Sequence, residues 1–197
     1  MSMLPVYEKY ALLSNNEKLF LFNFVSGLKS NSIILEVGTF LGGSAAIMAS
    51  SNPQVIVHTI DDYNDRHDRH KQSVSLMLLE SLGEKPRTKE NVELLLKDYK
   101  NIFFHKGKSP DNFKNWETPI DVYFEDGLHR NPTLENNVNY WTKFLSKNGY
   151  VIFHDHRPFL ETDHPSRFED VIDIVQRLSS NFEIISQEES LIILQQI

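Results

Sequence analysis

Short apolar runs recur along the chain, each closed by glycine or an acid and most followed by a stretch of helical period. SIILEVG (32–38) is β-branched and ends in glycine, which predicts a buried strand. QVIVHTI (54–60), introduced by Asn52-Pro53, predicts a second. NIFFHKG (101–107), IDVYFED (120–126) and YVIFHD (150–155) predict three more. Between them, small residues at 42–50 predict a helix, and SVSLMLLESLG (73–83) a short one ended by Gly83. TKENVELLLKDYK (88–100) predicts a helix with a capping-box-like start from Thr88 to Asn91. TLENNVNYWTKFLSKNG (133–149) predicts one that ends in a left-handed cap at Asn148-Gly149, and SRFEDVIDIVQRLSS (166–180) an amphipathic one. Ahead of the first strand, NEKLFLFNFVSGLK (16–29) spaces Leu19, Phe20, Phe22, Phe24, Val25 and Leu28 mostly along one helical face. FEIISQ (182–187) and LIILQQ (191–196), three residues apart, predict a closing hairpin.

Strands alternating with helices predict an α/β fold: a Rossmann-like three-layer sandwich, mostly parallel, with an antiparallel C-terminal hairpin. The 197 residues suit a single domain spanning 1–197, with 1–30 as its N-terminal helical segment. Ligands of such sheets lie beyond the carboxyl ends of the strands. The residues to weigh are therefore Glu36 to Thr39, Asp61 and Asp62, Gly107 to Ser109, Asp126 to His129, and His154 to His156.

Composition removes several classes of function. A net charge of −7 argues against a polyanion binder, so no nucleic-acid partner is expected. Without cysteine there are no disulfides, thiolate metal sites or cysteine nucleophiles, which is compatible with a reducing cytoplasm. MSMLPVYEKY lacks the regions of a signal peptide, and no apolar run approaches the ~20 residues of a membrane span. A cytoplasmic protein is expected.

The first glycine turn carries the most chemistry. Gly38 permits a sharp turn and a close backbone approach to a ligand, Gly42 and Gly43 permit close helix–strand packing, and the helix that follows presents free N–H groups. Glu36 would repel a pyrophosphate and attract an ammonium group. Asp61 or Asp62, after the second strand, stands where an acid accepts ribose hydroxyls. Asp126 and Asp155 end strands that, if neighbours, bring two carboxylates together in a way that suits Mg²⁺ or another hard divalent ion. His129 is placed to take the proton of a hydroxyl. His154 reads as a buried, hydrogen-bonded histidine, and Glu125 as a structural acid pointing away from Asp126. Trp116 and Trp141 read as core, although Trp116 lies in a loop that could cover an adenine. DDYNDRHDRHKQ (61–72) reads as a solvated substrate lid, since it lacks an i,i+4 histidine pair. Acceptor specificity is expected in loops 61–72, 84–90 and 156–168.

Taken in order, ILEVGTFLGGS, HTIDDY, FFHKGKSPDNF, IDVYFEDGLH and LSKNGYVIFHDH resemble the class I S-adenosylmethionine-dependent methyltransferases. The likeness is to the small O-methyltransferases with sugar, macrolide and catechol-type members, and it spans about residues 30 to 195. It implies a seven-stranded sheet with an antiparallel last strand and methylation of a small-molecule hydroxyl. It also implies that Glu36, Gly38 and Thr39 lie around the methionine end of S-adenosylmethionine, with Gly42 at the helix start and Ser44 near the carboxylate. Asp61 or Asp62 would then bind ribose, Lys108 and Ser109 would lie near adenine, and Asp126 would border cofactor and acceptor. Related metal-dependent enzymes use acids at Asp126 and Asp155 and an Asn or Asp directly after the second. This chain has His156 there, which shifts preference toward Mn²⁺, Fe²⁺ or Zn²⁺ and leaves metal use open. The rivals are a nicotinamide-dependent oxidoreductase, disfavoured by Glu36 and the missing G-x-G-x-x-G, and a non-catalytic Rossmann-like binding protein. The apolar N-terminal helix offers a face for a homo-oligomer.

Overall fold

A computed structural model of the chain describes residues 6–64, 80–83, 85–157 and 168–197. Seven strands form one sheet: β1 (Ile33–Val37), β2 (Ile56–Asp61), β3 (Ile102–Lys106), β4 (Ile120–Glu125), β5 (Leu145–Phe153), β6 (Phe182–Glu188) and β7 (Leu191–Gln196), in the order β3-β2-β1-β4-β5-β7-β6. The first five run parallel, and β7 is antiparallel to both β5 and β6. The chain winds outward from β1 to β3, then returns to place β4 on the other side of β1. That reversal opens a crevice between the carboxyl ends of β1 and β4.

Period-2 alternation divides the core. Leu35, Tyr123, Val151 and Leu194 form one row across four strands and pack under α4 (Thr133–Trp141) and α5 (Glu169–Leu178). Ile34, Val122, Ile152 and Ile193 face the opposite core, with α1 (Asn15–Ser26) and α2 (Gly43–Ser51). Helix α3 (Lys89–Leu95) precedes β3, with Thr88 as its N-cap. Among the described residues, no helix is long and apolar enough to cross a membrane.

Three elements differ from the expectation. Helix α4 stops at Trp141, a 3-10 turn covers Thr142–Phe144, and residues from Leu145 onward join β5. Asn148 is left-handed (φ 62°) but lies in a strand, where the register with β4 slips between Ile120↔Leu145 and Val122↔Tyr150. Pairing of Leu145 with Ile120 outweighs the helical period, and the slack is taken up at Asn148-Gly149. A Cβ on Gly149 would meet the Ser146 carbonyl at 2.8 Å. Strand β5 ends at Phe153, so His154 and Asp155 lie beyond it. In α1 the buried face is Glu17, Lys18, Leu21 and Val25, while Leu19 is 40% exposed. The reason is a capping box: Ser14 Oγ accepts from Glu17 N at 3.1 Å and Glu17 Oε2 accepts from Ser14 N at 2.9 Å, which turns the first helical turn inward. The helix expected at 73–83 lies mostly outside the described residues; 80–82 are helical.

Two glycines let backbones meet. A Cβ on Gly43 would lie 2.0 Å from Ala11 N, so the N-terminal segment after the 3-10 turn Val6–Tyr10 rests directly on α2. The closeness expected there between helix and strand is closeness between helix and N-terminal segment. Gly38 (φ +106°) would place a Cβ 2.2 Å from the Asp126 carbonyl. Gly38→Ala combines a strained φ with a backbone clash and is expected to cost about 2–5 kcal/mol, read by chemical denaturation.

Candidate active site

A cleft of about 390 Å³ opens at the carboxyl ends of β1, β2, β3 and β4. Of the residues weighed from the sequence, Gly38, Thr39, Ser44, Asp61, Asp62, Lys108, Ser109 and Asp126 line it. Glu36, Gly42, His129, Asp155 and His156 are not in its wall.

Backbone ties hold the rim. Gly38 N donates to Ile60 O and Asp126 N to Val37 O, each at 2.9 Å, so the turns after β1 and β4 are pinned to neighbouring strands. Gly107 N donates to Asp61 O at 2.9 Å, which adds the turn after β3.

Glu36 lies beneath this rim. Alternation puts it on the α2 side with Ile34, fully buried, where it accepts from Ser44 Oγ and, at 2.5 Å, from Thr59 Oγ1. Burial pushes its carboxyl up to about 8; the two hydroxyl bonds oppose this, and the charges of Asp126 and Asp61 add to it. Glu36 therefore reaches the cleft through Ser44, which lines it.

Asp61 is fixed from three directions. Its Oδ2 accepts from Phe40 N at 2.9 Å, and its Oδ1 accepts from Tyr63 N at 2.6 Å and from Arg87 Nη1 at 3.2 Å. Arg87 is 6% exposed and sits against the rings of Phe40 and Tyr63, 5.8 and 5.7 Å from their centroids. Phe40 and Tyr63 take left-handed backbone (φ 48° and 52°) to aim those amides at the carboxylate. Asp62 is exposed, with Oδ1 accepting from Asn64 N at 2.8 Å. Ser109 Oγ accepts from the buried Trp141 Nε1 at 2.8 Å. Lys108 is exposed and ends the β3 side. Trp116 bonds Thr118 O through its indole nitrogen and stacks edge-on with Trp141.

The far side of the cleft is a network of acids and imidazoles. His154 Nδ1 lies 2.8 Å from Asp126 Oδ1, and its Nε2 is 3.8 Å from both Glu17 Oε2 and Asp155 Oδ1. Burial opposes the charged form of His154, yet Asp126, Glu17 and Asp155 together raise its pKa well above the usual range. Burial likewise raises the acid form of Glu17, but bonds from His154, Ser190 and Ser14 hold it at about 2. His129 Nδ1 bonds Asp155 Oδ2 at 3.2 Å, and its Nε2 is buried without a partner. Burial lowers the His129 pKa, but the Asp155 bond and the charges of Asp126 and Asp155 outweigh it, so the net direction is upward. Asp155 itself is left-handed (φ 56°). Glu125 is fully buried beneath, accepting from Tyr123 Oη and Gly127 N, and burial raises it to about 7.

Asp126, Asp155 and His156 do not form a metal group. Among the described residues, no cluster of three or more His, Asp or Glu side chains could hold an ion. His156 N donates to Ser190 O at 3.0 Å, and its buried Nδ1 has no partner among the described residues. The potential metal cluster weighed at 65–70 and most of loop 156–168 lie outside the described residues.

Sequence reading missed Glu17, Arg87, Asn137 and the Tyr10–Leu12 segment, all but Glu17 lining the cleft. Ser14-Asn15-Asn16-Glu17 carries the S-x-x-E pattern of a capping box, a signal that was available. Arg87 falls in the 84–90 loop and has no pattern of its own.

The Glu36 environment gives a pH prediction. The folded chain keeps a proton on Glu36 that the unfolded chain releases near 4.5. Stability should therefore fall as pH rises from about 4.5 through about 8, then level off. Glu36→Gln is expected to flatten that fall, gaining about 2–5 kcal/mol on wild type between pH 5 and 9, measured by denaturant titration without ligand.

A family model described as a methyltransferase domain matches residues 35–156. No curated protein matches the chain. Among solved structures, the O-methyltransferase from Bacillus cereus in complex with SAH is similar at 16% identity and TM-score 0.60, over 98% of this chain and 84% of that one. The O-methyltransferase TomG from Streptomyces achromogenes, involved in tomaymycin synthesis and solved with SAM, is similar at 17% identity and TM-score 0.60, over 95% and 82%. An SAH-bound methyltransferase from Podospora anserina reaches TM-score 0.64 at 12% identity, over 94% and 80%. The expected α/β/α sandwich with its antiparallel hairpin is the fold these structures share with this chain. With a family model covering more than half of its residues, the chain belongs to the methyltransferase-domain family.

Proposed function

We propose that this chain transfers the methyl group of S-adenosylmethionine to a hydroxyl of a small molecule, of sugar or natural-product type, in the cytoplasm. The observation that carries the reading is the cleft wall. It is lined at the switch point by Gly38, Ser44, Asp61, Asp62 and Asp126, with the carboxyl of Glu36 directly behind Ser44. The acids in the wall, Asp61, Asp62 and Asp126, disfavour a pyrophosphate and suit a ligand that carries an ammonium and a sulfonium, while Glu36, which keeps its proton to about 8, acts through Ser44 as a hydrogen-bonding group.

The cofactor would supply an electrophilic methyl on sulfur. The chain's residues bind and orient around it. Gly38 leaves the space that a Cβ would fill, and Ser44 and Asp126 bracket the amino-acid end. Asp61, locked by two amides and Arg87, is the ribose acceptor, while Lys108 and Ser109 edge the adenine side. His129 is the base. Its Nδ1 faces Asp155, and its Nε2, buried behind the cleft wall, takes the acceptor's proton once the acceptor's entry uncovers it. As the O–C bond forms and the S–C bond breaks, that proton moves to Nε2. Asp126 and Asp155 do not fit a divalent ion, because each has an oxygen committed to an imidazole nitrogen. No step is assigned to a metal.

Methyl-labelled S-adenosylmethionine offered with a panel of small hydroxylated acceptors tests the reading. Label should pass to an acceptor oxygen, and a complete absence of transfer across sugars, phenols and polyketide alcohols would count against it. With an acceptor in hand, His129→Gln should lower kcat about 10²–10⁴-fold. Asp61→Asn should weaken S-adenosylhomocysteine binding by about tenfold or more, whereas Asp62→Asn should leave it near wild type. A larger loss in the Asp62 variant would move the ribose site to Asp62.

A further inference from the structure

The resemblance leaves open a divalent ion between Asp126 and Asp155, and the side chains there are arranged around a ring. His154 presents Nδ1 to Asp126 Oδ1 at 2.8 Å and Nε2 to Glu17 Oε2 and Asp155 Oδ1 at 3.8 Å each. One imidazole thus stands among three carboxylates, brought from α1, the end of β4 and the turn after β5. Nδ1 is hydrogen-bonded to Asp126 and Nε2 stands at ion-pair distance from the other two acids, so the ring fills the space between the carboxylates.

The ring is not free to swing aside. His154 is 9% exposed and Glu17 behind it 2%. Glu17 is itself tied to Ser190 N at 2.9 Å and Ser190 Oγ at 2.5 Å in the β6–β7 turn, and to Ser14 N at the start of α1. Rotating His154 out would leave the buried Glu17 and the partly exposed Asp126 and Asp155 facing one another. Keeping it in leaves a divalent ion to compete with the imidazole ring, with one oxygen of Asp126 and one of Asp155 already taken.

We propose that His154 takes the place of a divalent cation in this site, with Glu17 as the residue that positions it. The inference rests on the methyl-transfer reading only for the meaning of the site; the arrangement of charge is independent of it. A hydroxyl brought to Asp126 then meets an imidazolium's charge where a metal would otherwise have acted.

Mn²⁺ titrated into the purified full-length chain, with free ion followed by electron paramagnetic resonance, tests this. The wild-type chain should take up no Mn²⁺ at roughly millimolar ion. His154→Ala and His154→Gln, shown folded by a cooperative thermal transition, should each gain one bound Mn²⁺ as the carboxylates are released. Stoichiometric binding by wild type overturns the proposal, and so does a folded His154 variant that binds none. If both variants fail to fold, the wild-type titration alone decides. Calorimetry with S-adenosylhomocysteine on the same samples reports on the cofactor separately. A wild-type chain that binds neither ligand refutes the methyl-transfer reading, and Mn²⁺ uptake by the His154 variants still decides the assignment of His154.

Discussion

The close approach of β1 and β4 at Gly38 is the constraint on which the site depends. A side chain at Gly38 would lie 2.2 Å from the Asp126 carbonyl, so only glycine lets the two turns touch. That contact fixes Asp126 at the rim, and Asp126 in turn fixes His154. The same turn leads into Phe40, whose amide holds Asp61. Acids from two strand ends are thereby set around one cleft before any ligand arrives, at the cost of left-handed backbone at Phe40 and Tyr63.

Charge balance explains much of what surrounds the cleft. Each acid is answered by a different device. Glu36 is buried beside two hydroxyls and keeps its proton to about 8. Asp61 is answered by Arg87, Asp126 by His154, and Asp155 by His129. Glu17 shows the opposite of Glu36: less deeply buried, and faced by His154, Ser190 and Ser14, it ionises at about 2. Burial alone does not decide the state of a carboxyl; the donors packed against it do.

Much of this was legible in the sequence, and the exceptions are physical. The apolar runs match β1 to β4 and the hairpin nearly to the residue; β1, β4 and β7 are buried runs with few alternatives, while β3 and β6, at the sheet edges, are bounded by turn residues. Residues 145–149 carry a helical period, yet they pair with β4; only the neighbouring strand decides that. The side Glu36 faces follows from alternation with Ile34, but its partners Ser44 and Thr59 come from other elements. The sequence marks Glu17 only through the S-x-x-E pattern, because the β6–β7 turn and His154 that close over it come from distant elements.

On the proposed function, the cleft takes an ammonium-bearing nucleoside in preference to a pyrophosphate-bearing one. Isothermal titration calorimetry of the wild-type chain with S-adenosylhomocysteine and, separately, with NAD tests it most directly. The account predicts one S-adenosylhomocysteine site per chain and no heat from NAD; binding of NAD with S-adenosylhomocysteine inert would contradict it.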